Sequence, residues 1–215
     1  MNKKLEHNSS HFQKLISSVI VLYGKSNSGK TSTLMDLLML LNRAFVKKFI
    51  NTNLVKTNRS GVMYYQDAMF IFDYKEHLIF LSTFGDTQDI CEANCHFFER
   101  KQANRDIYVI HNGTVKHLKD LSSTEKKSFF ARKLKPSFCI SACRTEGGPA
   151  DAIMYFSKKV LDDVQNVVWI RKWRDPKAYN PIYTDQKTPI ITADDEQLAK
   201  EIRNFIDRMI KNYHI

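Results

Sequence analysis

The chain has 215 residues, 43% hydrophobic and 26% charged, a balance that excludes a disordered or fibrous protein and fits one globular domain. Thirty-three Lys and Arg against 23 Asp and Glu leave a formal charge of +10, which favours anionic partners and excludes an acidic, solvating chain. Four cysteines are too few for a disulfide scaffold, and no run approaches the roughly 18 apolar residues that a membrane helix needs.

The N-terminal residues, MNKKLEHNSSHFQK, are polar and hold no apolar signal core. Residues 1–16 are therefore expected to be a lead-in, and 17–215 a single domain in a reducing cytoplasm. Ser18 to Tyr23 is β-branched and apolar, which suits a buried strand. From Thr31 to about Val46, Leu34, Leu37, Leu38 and Leu41 recur at helical spacing. Asn51 to Ser60 is polar and is expected to be a mobile loop. Two apolar and aromatic runs, Val62 to Phe72 and His77 to Thr83, flank Asp73-Tyr-Lys-Glu76 as an antiparallel hairpin would. A helix is expected from about Thr87 to Lys101.

Asp106 to Leu118 holds two alternating runs around Asn112-Gly113, a pair suited to a type I′ turn. It reads either as a second hairpin or, over Ile107 to His111, as a parallel core strand. Ser122-Ser-Thr-Glu125 has capping-box spacing and predicts a helix to about Leu134. A strand from Ser137 to Cys143, a helix after Pro149, and a strand from Asn166 to Trp173 follow. Thr192 is expected to cap a last helix, with Asp194, Asp195 and Glu196 in its positive first turn and Leu198, Ile202, Phe205, Ile206 and Met209 as its buried stripe. Strands alternating with helices predict an α/β fold: a mainly parallel sheet with helices on both faces and one or two hairpin additions.

Chemistry concentrates in Gly24-Lys25-Ser26-Asn27-Ser28-Gly29-Lys30-Thr31, which satisfies G-x-x-x-x-G-K-[ST] between a strand and a helix. The glycines let backbone N–H groups converge on phosphate oxygens, and Lys30 supplies charge to the outer phosphates. Thr31 offers its hydroxyl to Mg²⁺, and Ser32 lies in the first turn of a helix whose positive end faces the same anion.

On these residues the segment from 18 to 46 resembles the P-loop NTPase superfamily. The resemblance implies a three-layer α/β fold, a nucleoside triphosphate and Mg²⁺. Such a site calls for a carboxylate beyond a neighbouring strand. Asp86, just past His77 to Thr83, is the expected metal and catalytic residue, and Asp89 is the runner-up. Arg144, in Cys143-Arg-Thr-Glu-Gly-Gly148, is the candidate for γ-phosphate charge.

The hairpin and Ser141-Ala142 resemble elements of translational GTPases. Their Asp-x-x-Gly, however, would fall on Ser82 to Gly85, and no Asn-Lys-x-Asp is present. ATP is therefore the expected nucleotide, with GTP open, and hydrolysis the expected reaction. A kinase, or a nucleotide-dependent module that docks on nucleic acid or protein, is the alternative. Cys91, Cys95 and His96, like Cys139 and Cys143, fit core packing better than zinc. Tyr64, Tyr65, Phe70 and Phe72 read as sheet core, and Trp169 as buried against a helix.

Overall fold

The computed structural model describes residues 16–24, 28–42, 44–98, 106–130, 135–144, 167–172, 191–192 and 195–212. Residues 1–15 of the lead-in, the helix expected after Pro149, and Trp173 lie outside them, while Ile16 already belongs to the first strand. Strand β1 (Ile16–Tyr23) leads through the glycine-rich loop into α1 (Lys30–Leu41) and α2 (Ala44–Asn53). The ribbon β2 (Val55–Thr57) and β3 (Met63–Tyr65) precedes the hairpin β4 (Met69–Tyr74) and β5 (His77–Ser82). Then come α3 (Gln88–Phe98), β6 (Ile107–His111), β7 (Thr114–His117), α4 (Ser123–Phe130) and β8 (Lys135–Cys143). Last are β9 (Val167–Lys172), β10 (Ile191–Thr192) and α5 (Asp195–Asn212).

Among the described residues, eight strands form one mixed sheet in the order β10-β9-β1-β8-β5-β4-β6-β7. The five from β10 to β5 are parallel, β4 turns back against β5, and β6 runs parallel to β4. Five strand ends therefore share one edge, and because β4 is reversed its beginning lies at that edge too.

The core has two sides. Alternation along β1 sends Ile20 and Leu22 toward α1, α2 and α5, and Val19, Val21 and Tyr23 toward the opposite face, which holds Cys91 of α3 and Phe129 of α4. Leu198, Ala199, Ile202, Ile206 and Ile210 form one buried stripe along α5, at the helical period the sequence shows. Trp169 is buried on the second face, edge-on to Tyr23. Cys91, Cys139 and Cys143 are buried there as small apolar side chains.

Four local expectations need correction. The helix expected from Thr31 to Val46 ends at Leu41, because Asn42 turns extended while its side-chain amide donates to the Leu38 carbonyl at 2.8 Å. Asn51 to Ser60 is no loop: it completes α2, which buries Val46 and Ile50, and enters the ribbon. Tyr64 is exposed on that ribbon rather than in the sheet, although Phe70 and Phe72 are core. Thr192 belongs to β10, and α5 begins at Asp195.

The turns agree with their chemistry. Asn112 and Gly113 have φ of 48° and 75°, and β6 forms a hairpin with β7 while pairing in parallel with β4, so both readings of this segment hold. The β4–β5 turn takes positive φ at Lys75 and Glu76 without a glycine. Lys75 and Tyr74 both donate to Asp207 of α5, at 2.8 and 2.9 Å, which ties this turn to the last helix.

Candidate functional site

The glycine-rich loop leaves β1 at the edge where the parallel strands end. Gly24 donates its N–H to the Cys143 carbonyl at 3.1 Å, and a Cβ there would lie 2.5 Å from the Lys172 carbonyl oxygen. Only glycine fits between the ends of β8 and β9. Gly29, at φ 90°, starts α1 in the left-handed region and passes close to the Asp195 carboxylate. Lys25, Ser26 and Asn27 lie outside the described residues. Ser28 is buried, and its hydroxyl has no hydrogen-bond partner among the described residues. A buried donor left over at a helix start suits an anion.

Lys30 is buried, and its ammonium donates to the Gly24 carbonyl at 2.9 Å, folding the loop over its own side chain. Burial pushes this lysine below its ordinary range. Asp86 counteracts that, Arg144 adds to it, and Cys143 and Asp67 counteract it in turn. The lysine, Asp67, Asp86 and Arg144 therefore share one electrostatic neighbourhood.

The residue that sequence reasoning missed is Asp67. Thr31 donates its hydroxyl to Asp67 Oδ1 at 3.0 Å, and Thr83, just past β5, also hydrogen-bonds to this carboxyl group. Thr83 is fixed in turn by the backbone of Ala68, whose N–H donates to the Thr83 hydroxyl at 2.9 Å. Asp67 precedes its strand instead of following one, so a search past strand ends passes over it. A signal existed: it is the lone acid between Tyr65 and Phe72, in the first run of a hairpin that returns residue 67 beside residue 83. Burial raises its pKa, the Thr83 and Thr31 hydrogen bonds lower it, Asp86 raises it and Lys30 lowers it, leaving the group above the usual carboxylate range.

Asp86 lies elsewhere in the cluster. It is exposed, and its carboxylate accepts from Arg144 Nε at 2.9 Å, so the two residues assigned separate roles from sequence form an ion pair. Its strand, β5, is not next to β1, because β8 lies between them. Gly85 brings the loop in: its carbonyl accepts from the Arg144 N–H at 2.9 Å, and a Cβ there would meet the Ala142 carbonyl at 2.4 Å. Ser82, standing where an acidic residue is usual, points to the other face and donates to Asn94 at 2.7 Å. Asn94 also donates to Ser141 at 3.0 Å. Asp89, the runner-up, is exposed in the first turn of α3.

A third tie reaches the loop from the C-terminal helix. Asp195 accepts from Thr33 at 3.0 Å and from the buried Lys172 at 2.6 Å. The beginning of α1 is thus pinned to the end of β9 and the start of α5. From sequence, Asp195 was visible only as a charge in a first helical turn.

Mg²⁺ fits the residues present. Thr31 and Asp67 offer adjacent hard oxygens, and a cation would favour the ionised form of the half-buried carboxylate. Among the described residues no group of three His, Cys, Asp or Glu could hold a metal unaided. No described helix is long and apolar enough to cross a membrane. Compared with protein-family models, curated proteins and solved structures, the chain gives no match.

Proposed function

We propose that the chain is a Mg²⁺-dependent P-loop protein of the cytoplasm that binds and hydrolyses a nucleoside triphosphate, with ATP as the substrate. The observation that carries the reading is the Thr31–Asp67 hydrogen bond beside Lys30, at the N-terminus of the helix that follows the glycine-rich loop. It pairs the hydroxyl of the G-K-T motif with a half-buried carboxylate, and the motif by itself did not predict that partner.

In this reading the loop backbone and the start of α1 hold the phosphates. Lys30 exchanges the Gly24 carbonyl for phosphate oxygens. Thr31 and Asp67 would hold Mg²⁺, which would neutralise charge on the outer phosphates. Asp86 holds Arg144 at the rim, where the guanidinium meets charge developing on the γ-phosphate. Water adds to the γ-phosphorus while the bond to the β–γ bridging oxygen breaks, leaving the electron pair on the diphosphate. ATP is preferred to GTP because no Asn-Lys-x-Asp reads a guanine.

Phosphate release from ATP and from GTP, with Mg²⁺ or EDTA, tests the proposal. Lys30→Ala is expected to lose at least 100-fold in turnover with an unchanged circular dichroism spectrum. Undiminished release in that variant removes the phosphate-loop assignment. Release only in the presence of an acceptor makes the protein a kinase instead.

A further inference from the structure

The ribbon β2–β3 stands apart from the sheet and carries the most exposed large apolar side chains among the described residues: Val62 at 58%, Met63 at 73% and Tyr64 at 51%. Antiparallel pairing sets Lys56 opposite Tyr64 and Val55 opposite Tyr65. Val55 and Tyr65 are half-buried, and Tyr65 packs against the core. Alternation therefore sends Lys56 and Tyr64 together to the outer face. The turn between the strands is preorganised. Asn58 Oδ1 accepts from the N–H groups of Ser60 and Val62 at 3.0 and 2.9 Å, and the Asn58 carbonyl accepts from Gly61 at 3.0 Å.

The charge carried by α2 and the ribbon themselves has one sign, while the carboxylates of Asp36 and Asp195 act on Tyr65, on the inner face. Residues 37–66 contain five basic side chains and no acidic one. Four of them, Lys47, Lys48, Lys56 and Arg59, are exposed on α2 and the ribbon. An exposed ring opposite Lys56, on a ribbon and helix that carry further exposed cations and no carboxylate of their own, complements a flexible polyanion that carries flat apolar groups. The end of the ribbon is the polar turn Asn58 to Gly61, and the apolar side chains lie along one strand behind it. That shape suits a chain lying across the face better than insertion of a tip into lipid.

We infer that the outer face of the β2–β3 ribbon docks single-stranded nucleic acid. Tyr64 stacks on a base, and Lys56 and Arg59 meet the phosphates. The ribbon also leads directly to the candidate site. Gln66 donates its N–H to the Leu54 carbonyl at 2.7 Å, closing the base of the ribbon, and the next residue is Asp67, which holds Thr31. Docking stands without the nucleotide proposal, whereas any effect on turnover rests on it.

The test is fluorescence anisotropy with labelled 20-nucleotide oligo-dT and oligo-rU over a salt series, using the full chain. Expected are binding that weakens steeply with salt and at least a tenfold loss of affinity in Tyr64→Ala with an unchanged thermal midpoint. Tyr64→Trp is expected to keep the affinity and show quenched indole emission on binding, a signature of stacking that charge alone does not produce. Lys30→Ala is expected to bind the oligonucleotide as the unaltered chain does, so its turnover bears on the nucleotide reading alone. Equal affinity in the native chain and Tyr64→Ala overturns the inference, as does an unquenched Trp. So does Tyr64-dependent binding to vesicles of phosphatidylserine and phosphatidylcholine, or to a second copy of the chain, without oligonucleotide binding.

Discussion

At Asp67 opposing effects act on one carboxyl group. Burial disfavours its charge, and the hydroxyls of Thr83 and Thr31 favour it; burial is the larger, so the pKa is raised. A carboxyl group with a higher pKa folded than unfolded stabilises the fold while it is protonated. That contribution is lost as pH rises through the folded pKa, and the ionised group is then a net cost. Asp67→Asn is therefore expected to leave the thermal midpoint at neutral pH equal or higher, with the difference closing in acid. If Asp67 is the metal-site carboxylate, the same change lowers ATP turnover by roughly 10–100-fold and raises the Mg²⁺ needed. A Mg²⁺ titration compares it with Asp86→Asn: an unchanged requirement in the first and a raised one in the second moves the metal role to Asp86.

Among the elements, α4 shows how much a short segment specifies by itself. Ser122 accepts from the Glu125 N–H at 3.1 Å, and Glu125 accepts from the Ser122 N–H at 2.8 Å, the reciprocal capping box its spacing predicts. Lys116 of β7 also donates to Glu125, and with Ser122 it holds that exposed carboxylate down to about 2. A depressed pKa stabilises above the unfolded value and is lost on acidification, here between about 4.5 and about 2. Ser122→Ala is expected to cost about 1 kcal/mol at neutral pH in urea unfolding. The ribbon is the opposite case. Asn51 to Ser60 is polar enough to read as loop, yet α2 needs only Val46 and Ile50 inward to form a helix, and Asn58 organises the rest through its side chain.

Across the whole molecule, α5 is the long-range clamp. Its apolar stripe packs on the same core as α1, its Asp207 receives the β4–β5 turn, and its Asp195 holds Thr33 and Lys172 beside the glycine-rich loop. Ile202 is wholly buried in the middle of that stripe. Ile202→Ala is expected to cost about 2–5 kcal/mol through the cavity it leaves, read as a shifted urea midpoint with an unchanged slope. A loss under about 1 kcal/mol would mean that α5 is not packed as described.

What the sequence by itself determined about this protein is local and periodic. Gly24 and Gly29 marked the loop, the apolar runs marked β1, β5, β8 and β9, and Asn112-Gly113 and the capping box marked a turn and a helix start. Each of these is set by backbone sterics or by partners a few residues away. Only the tertiary structure decided which carboxylate meets Thr31, because strand order and direction join residues 36 positions apart. It inserted β8 between β1 and β5, reversed β4 so that Asp67 reached the edge where the parallel strands end, and left Asp86 to Arg144. It also turned Asp195 from a first-turn charge into the tie between α5 and α1. Pairing across a sheet depends on the sum of all packed faces, which no single window of sequence contains.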